Sequence, residues 1–281
     1  MLAALTARQW MWAAGACYLA GFAAGAWALR RRGRPSGLIV YLLVAVGYLL
    51  QVFGLAERGR AVGGCPLGNA FELCQFTAWS AITLYLVVGV TFRSSVLGYF
   101  TAGLGAVLTL VSLAMPSWDA VRRAHAFGGN PWIEFHAALA LFSYGVFALL
   151  ALTSLLLLFR LHSLRARHLG GWFSLLPSVL DLDHISVRLL GAAVGLLAAS
   201  LVVGAAYWLR DTSSVAAPKL LLTATVWLAA AIALGLRLRG RLVARTFAWT
   251  CVALFAVAMA SLGAVNASRR PVPPPAAELR P

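Results

Sequence analysis

The chain has 281 residues, of which 62% are apolar and only 11% charged, and its mean hydropathy is +0.85. A soluble domain carries about 25% charged residues. This chain has too few to coat a water-facing surface, which excludes a soluble enzyme, a disordered protein and a collagen-like fibre and leaves an all-α, polytopic integral membrane protein. Its 23 lysines and arginines against 8 acidic residues give a formal charge of +15. The arginines flank apolar runs, which is the pattern of topology-setting anchors at lipid headgroups, so no nucleic-acid partner is expected.

Eight apolar runs follow one another: 10–29, 37–56, 71–91, 96–115, 132–159, 189–209, 220–236 and 247–265. A helix needs about 20 residues to cross a bilayer, and most runs have that length. Strands are excluded because the runs are long and do not alternate. Together they predict one helical membrane domain, 1–268, of about eight spans.

The first run ends in Arg30-Arg31-Arg32-Gly33-Arg34, not in a small-residue cleavage site, so it reads as a span and not as a signal peptide. Placing that cluster in the cytoplasm puts both termini outside a bacterial inner membrane and assigns 13 cations to inner segments and 10 to outer ones. Gly21 and Gly25, and again Gly191 and Gly195, have the spacing that lets helix backbones approach closely. Cys65 and Cys74 flank the start of the third span, where an oxidising compartment permits a disulfide or two free thiols. Cys17 and Cys251 lie inside apolar runs as small packing residues. The fifth run, 28 residues long, has room to tilt or project. Beyond it, His162 and His168 lie among arginines, and His184 stands beside Asp181, Asp183 and Arg188. The proline-rich tail, 269–281, has no apolar period and is expected to be disordered.

The chemistry is bounded first by an absence. No Asp, Glu, Lys or Arg lies near the centre of any span, whereas ion-coupled transporters need ionisable groups there. Serine-hydrolase, zinc-protease, P-loop and dinucleotide signatures are also missing. The exception is His136, about one turn inside the fifth run after Pro131-Trp132. Ala140, Ser143 and Tyr144 follow at i+4, i+7 and i+8 and share its helix face. A neutral imidazole is a good ligand for haem iron. The residues alone favour a histidine hydrogen-bonded between helices over a haem ligand, and leave both readings open. In the outer loop, His125 offers a second axial ligand, and Arg122 and Arg123 offer partners for propionates.

These residues carry a resemblance. Trp132-Ile-Glu-Phe-His136 with Ser143-Tyr144 resembles the histidine-bearing helix of the cytochrome c assembly family, haem-handling inner-membrane proteins of the CcsA, CcmC and HemX kind. Gly64-Cys-Pro-Leu-Gly-Asn69-Ala-Phe71-Glu72, with Phe76 and Trp79, is similar to the family's loop-to-span entry. Leu176-Pro177-Ser-Val-Leu180-Asp-Leu-Asp183 resembles the segment before its sixth span; Pro218-Lys219, Trp227 and Arg239-Gly240-Arg241 resemble its next-to-last span and the basic turn that follows. The chain lacks the family's tryptophan-rich outer segment, has Ala217 where an aspartate precedes Pro-Lys, and has no second histidine near Gly235-Leu236-Arg237. It therefore looks like the shorter HemX-type branch.

The resemblance implies a non-enzymatic protein that binds haem and assists cytochrome c assembly. His136 would ligate the iron, Trp132 and Tyr144 would pack the macrocycle, and Arg122 or Arg123 would meet the propionates. It also implies an alternative, a regulator or scaffold of tetrapyrrole biosynthesis acting on a soluble enzyme through its arginine-rich loops. Partners expected on the first reading are cytochrome c maturation proteins.

Overall fold

The structure, a computed structural model, describes residues 5–30, 37–92, 95–120, 130–167, 177–209 and 217–267. They form α1 (Ala7–Arg30), α2 (Gly37–Val62), α3 (Ala70–Phe92), α4 (Ser95–Ala114), α5 (Pro131–Arg165), α6 (Val179–Trp208), α7 (Ala217–Leu238) and α8 (Ala244–Ala267). A short 3-10 turn, Pro116–Asp119, follows α4, and no strand occurs among the described residues. Seven of the eight helices, α2 to α8, are long and apolar enough to cross a membrane. In α1 three tryptophans and three glycines dilute the aliphatic content. The all-helical, multi-pass membrane architecture read from the sequence is the one observed.

The distribution of side chains is that of a protein solvated by lipid. In α2 the inward positions are Val40, Val44, Gly47, Gln51, Gly54, Arg58 and Val62, spaced three or four apart. The exposed face of the same helix carries Leu38, Ile39, Leu42, Leu49 and Phe53. A helix facing water would show the opposite arrangement. In a bilayer, small and polar residues mediate helix contact while aliphatic ones meet the chains.

The helices fall into two groups. α1 packs against α2 and α4, and α3 packs against α4 and α2; α5 packs against α6 and α8, and α7 closes on α6 and α8. The principal seam between the groups is α3 against α5. There Gly145 lies so close to α3 that a Cβ would come within 2.8 Å of the Thr77 carbonyl oxygen. Gly21 and Gly25 do face a neighbour, Ala102 and Tyr99 of α4. Gly191 and Gly195 do not, since a Cβ on either meets nothing within 4 Å. On α6 the close approach is made by Gly204 instead.

Three helices outrun their apolar runs by six residues or more. α2 continues to Val62, α5 runs for 35 residues, and α6 begins at Val179. Hydropathy fails at Arg58 and at Asp183, yet both are inside the bundle and paired, so the helix continues through them. Ser178 caps α6 by accepting the Asp181 amide at 3.1 Å. All four cysteines are free thiols, Cys65 and Cys74 included.

Candidate functional site

The site is built on the first turns of α5. Asn130 is the N-cap, its side chain accepting the Trp132 amide at 3.0 Å, and Pro131 occupies the first helical position, where no amide donor is needed. One turn on, Glu134 reaches back to the loop between α2 and α3. Its carboxylate accepts the Cys65 amide at 3.1 Å and lies against Gly64, where a side chain would collide with it. Two motifs far apart in the chain, Gly64-Cys65 and Trp132 to His136, are thus one structural unit. Burial, with the nearby carboxylates of Glu134 and Glu72, pushes the Cys65 thiol up to about 11.

His136 points at α6. Its Nδ1 lies 2.7 Å from the Ser200 carbonyl oxygen and 3.1 Å from Ser200 Oγ. A carbonyl only accepts, so Nδ1 carries the proton and donates it. Ser200 Oγ donates in turn to the His136 carbonyl at 3.0 Å. The ring lies over Gly204, where a Cβ would come within 2.7 Å of Cε1. The glycine is there because the imidazole occupies the space a side chain would need. With Nδ1 as donor, the neutral form of the ring has its lone pair on Nε2. This is the arrangement of a metal-ligating histidine whose other nitrogen is held by a backbone carbonyl.

A half-open cavity of about 270 Å³ adjoins this point, lined by Trp132 of α5 and by Val202, Val203, Ala206 and Tyr207 of α6. It lies about one turn nearer the helix ends than His136, whose own ring does not line it. Its size is just below the roughly 300–1,000 Å³ of ligand pockets, and its apolar lining matches theirs. Trp132 and His136 are therefore brought to one locality. Ser143 and Tyr144 are placed elsewhere: Ser143 Oγ donates to the Ala140 carbonyl of its own helix at 2.6 Å, and the Tyr144 hydroxyl meets Ser261 of α8 at 3.1 Å. Arg122, Arg123 and His125 lie outside the described residues. His184 is exposed, and its neighbour Asp183 turns to Arg237 of α7. Among the described residues no three His, Cys, Asp or Glu side chains converge to hold a bare metal ion. The donor set is a single imidazole.

Ser200, Gly204 and Glu134 were not anticipated from the sequence. Neither was the ion network at the same end of the molecule. Arg58, 2% exposed, pairs with Glu72, 1% exposed, at 2.6 Å and also with Asp119. Arg8 bonds Asp119 at 3.0 Å, and the Phe71 ring lies near both guanidinium groups, at 5.4 and 5.5 Å. Asn69 caps α3 by accepting the Glu72 amide at 2.9 Å, while Glu72 accepts the Gly68 amide at 2.7 Å. The signal was present, because Asn69-Ala-Phe-Glu72 has the spacing of an N-cap with an acid three residues on.

The family model described as cytochrome C assembly protein matches residues 67–268, from the loop before α3 through α8. The chain belongs to this family. Among curated relatives it is 27% identical over 177 residues to Protein HemX of Bacillus subtilis (strain 168), which is 62% of this chain and 63% of that protein. It is 25% identical over 171 residues to Protein HemX of Brevibacillus brevis, covering 61% and 62%. The likeness thus spans less than two thirds of either relative, and within the family it falls on the HemX-type branch. His136, Ser200, Gly204, Glu134 and Glu72 all lie inside the family match; Arg8 and Arg58, on α1 and α2, precede it.

Proposed function

We propose that this chain is a haem-handling protein of the bacterial inner membrane that assists cytochrome c assembly, with His136 Nε2 as the iron ligand. The cytochrome c assembly family is associated with haem handling. The observation that carries the assignment to this residue is the hydrogen bond from Nδ1 to the Ser200 carbonyl, which holds the ring and leaves Nε2 with its lone pair. Haem, when bound, would supply an iron for which a neutral imidazole is a good ligand, and His136 Nε2 would hold it. The rest belongs to the protein. Ser200 holds the tautomer, Gly204 makes room for the ring, and Trp132 with Val203 and Tyr207 offers an apolar wall beside it. No bond in the cofactor need be made or broken by the chain, whose part is to bind, orient and pass it on.

In the proposed orientation the termini and His136 face outward, toward the compartment where cytochrome c is assembled. Absorbance of the purified protein tests the ligand: wild type is expected to show a Soret band that His136→Ala loses, with helix content and thermal midpoint retained. Equal haem content in the two proteins would overturn the assignment.

A second reading is favoured by the likeness to the HemX proteins. On it, the arginine-rich end at Arg160, Arg165 and Arg167 docks a soluble enzyme of tetrapyrrole synthesis. Affinity capture on the segment 160–188 that retains no such enzyme, together with His136-dependent haem binding, would remove it.

A further inference from the structure

The end of the bundle opposite His136 carries a groove between α5 and α8 that the proposed function does not use. Its volume is about 400 Å³. Leu155, Phe159 and Trp249 form an apolar wall, and His162, Arg165 and Arg245 stand at one end of it. No acidic side chain lines it. Arg165 and Arg245 are exposed and form no ion pair among the described residues. At the other end of the molecule, by contrast, Arg8 and Arg58 are matched by Asp119 and Glu72.

Helix geometry sets the depth of the groove. From position 136 to position 162 is 26 residues of continuous α5, about 39 Å of axial rise, against a hydrocarbon core of about 30 Å. With His136 just inside one face of the bilayer, His162 and Arg165 stand at the headgroups of the other. Leu155 and Phe159, both exposed, then lie among the acyl chains, and Trp249 is at the interfacial depth that tryptophan favours. The groove offers cationic hydrogen-bond donors at headgroup level and an apolar wall continuing into the membrane. A soluble anion would use only the first of these features.

We propose that this groove is a binding site for an anionic glycerophospholipid, with its phosphate held by Arg165 and Arg245 and one acyl chain along Leu155, Phe159 and Trp249. Basic pockets between transmembrane helices recognise anionic headgroups in this way. Net positive charge alone does not account for such a site, because it would act wherever arginines are exposed. The turn after α7, with exposed Arg239 and Arg241 at the same end of the molecule but outside the groove, supplies the comparison.

The test is native mass spectrometry of the detergent-purified full chain titrated with phosphatidylglycerol and, separately, with phosphatidylcholine. Wild type is expected to retain phosphatidylglycerol preferentially. Arg165→Gln/Arg245→Gln is expected to lower that retention by about tenfold, and Arg239→Gln/Arg241→Gln to leave it within about twofold. Circular dichroism and thermal midpoints confirm that both variants are folded, and Trp249→Ala, which keeps every charge, is expected to weaken retention of the same lipid. Equal retention of the two lipids by wild type overturns the proposal. So does an equal loss in both arginine pairs, which would mean bulk charge attraction. A dicarboxylate porphyrin that binds in an Arg165- and Arg245-dependent manner where phosphatidylglycerol does not would assign the groove to that ligand instead.

Discussion

The two helix groups treat buried polarity differently. In α1–α4 the amide and charged groups inside the bundle close on one another. Gln51 accepts from Tyr18 at 2.8 Å and donates to Gln75 Oε1 at 2.9 Å, while Gln75 donates to Ser112 at 2.9 Å. Above them Arg58, Glu72, Arg8 and Asp119 balance as two cations and two anions. In α5–α8 the polar groups keep something in reserve. Among the described residues His136 bonds Ser200 through Nδ1 and makes no hydrogen bond at Nε2, and Asp183 pairs with Arg237 through one oxygen while Oδ1 has no partner. A saturated network fixes helices relative to each other, whereas an ionisable group left incompletely paired in a membrane protein is a candidate functional position. The division holds for the amide and ionisable groups and not for every polar atom, since the buried Trp79 Nε1 and Tyr99 hydroxyl of the first group have no partner among the described residues. For the ionisable groups it sets a closed network in α1–α4 against an incompletely paired one in α5–α8.

The largest test of that division is Arg58→Met. The substitution leaves Glu72 and Asp119 buried without their shared cation, a situation that costs about 3–5 kcal/mol. A large drop in the thermal unfolding midpoint in detergent is expected, and Glu72→Gln added to it should recover part of the loss. If Arg58→Met unfolds like wild type, the network does not hold the first group together. His136→Ala in the second group is the counterpart, with loss of haem and little loss of stability.

A smaller effect sharpens the comparison within α5 itself. Tyr144 and His136 lie on one helix face by their spacing, but Tyr144 reaches α8 and His136 reaches α6. Tyr144→Phe removes the bond to Ser261, whose hydroxyl still donates to the Ala258 carbonyl at 2.6 Å. The expected cost is about 0.5–1.5 kcal/mol by equilibrium unfolding, with haem content unchanged. Haem loss in Tyr144→Phe would place the phenol at the ligand site.

The architecture was legible because a bilayer sets a minimum length for its spans, and seven of the eight helices read as apolar runs are long and apolar enough to cross one. The helix ends were not, because hydropathy stops at a charge whether or not the charge has a partner. Arg58 and Asp183 are each neutralised by a residue from another helix, and no local pattern announces that. The imidazole was legible as a lone histidine inside an apolar run. Its partner was not: Ser200 is 64 residues away, and nothing in a run of small and aliphatic residues says which turn of α6 will face α5. Of the two small-residue pairs, the one on α1 meets a helix and the one on α6 meets open space, which shows that spacing gives a face without giving its neighbour.

The loop before α3 supplies the most delicate test, because the Glu134 carboxylate ties it to α5. Cys65 sits there between the Glu134 carboxylate of α5 and the Glu72 carboxylate of α3, partly buried, with its thiol raised to about 11. A thiolate is the nucleophile, and a thiol ten times weaker as an acid holds about nine tenths less of it at a given pH below the pKa. In a variant whose other three cysteines are replaced by alanine, alkylation of Cys65 at pH 8 should run about two orders of magnitude below that of an ordinary thiol and climb with pH until the midpoint near 11. Glu134→Gln removes one of the two carboxylates, so the midpoint should move down. The same substitution leaves Arg58, Glu72 and Asp119 intact, so the unfolding midpoint should stay close to that of wild type. A Cys65 midpoint at an ordinary thiol value with Glu134 intact would mean that the loop does not rest on α5.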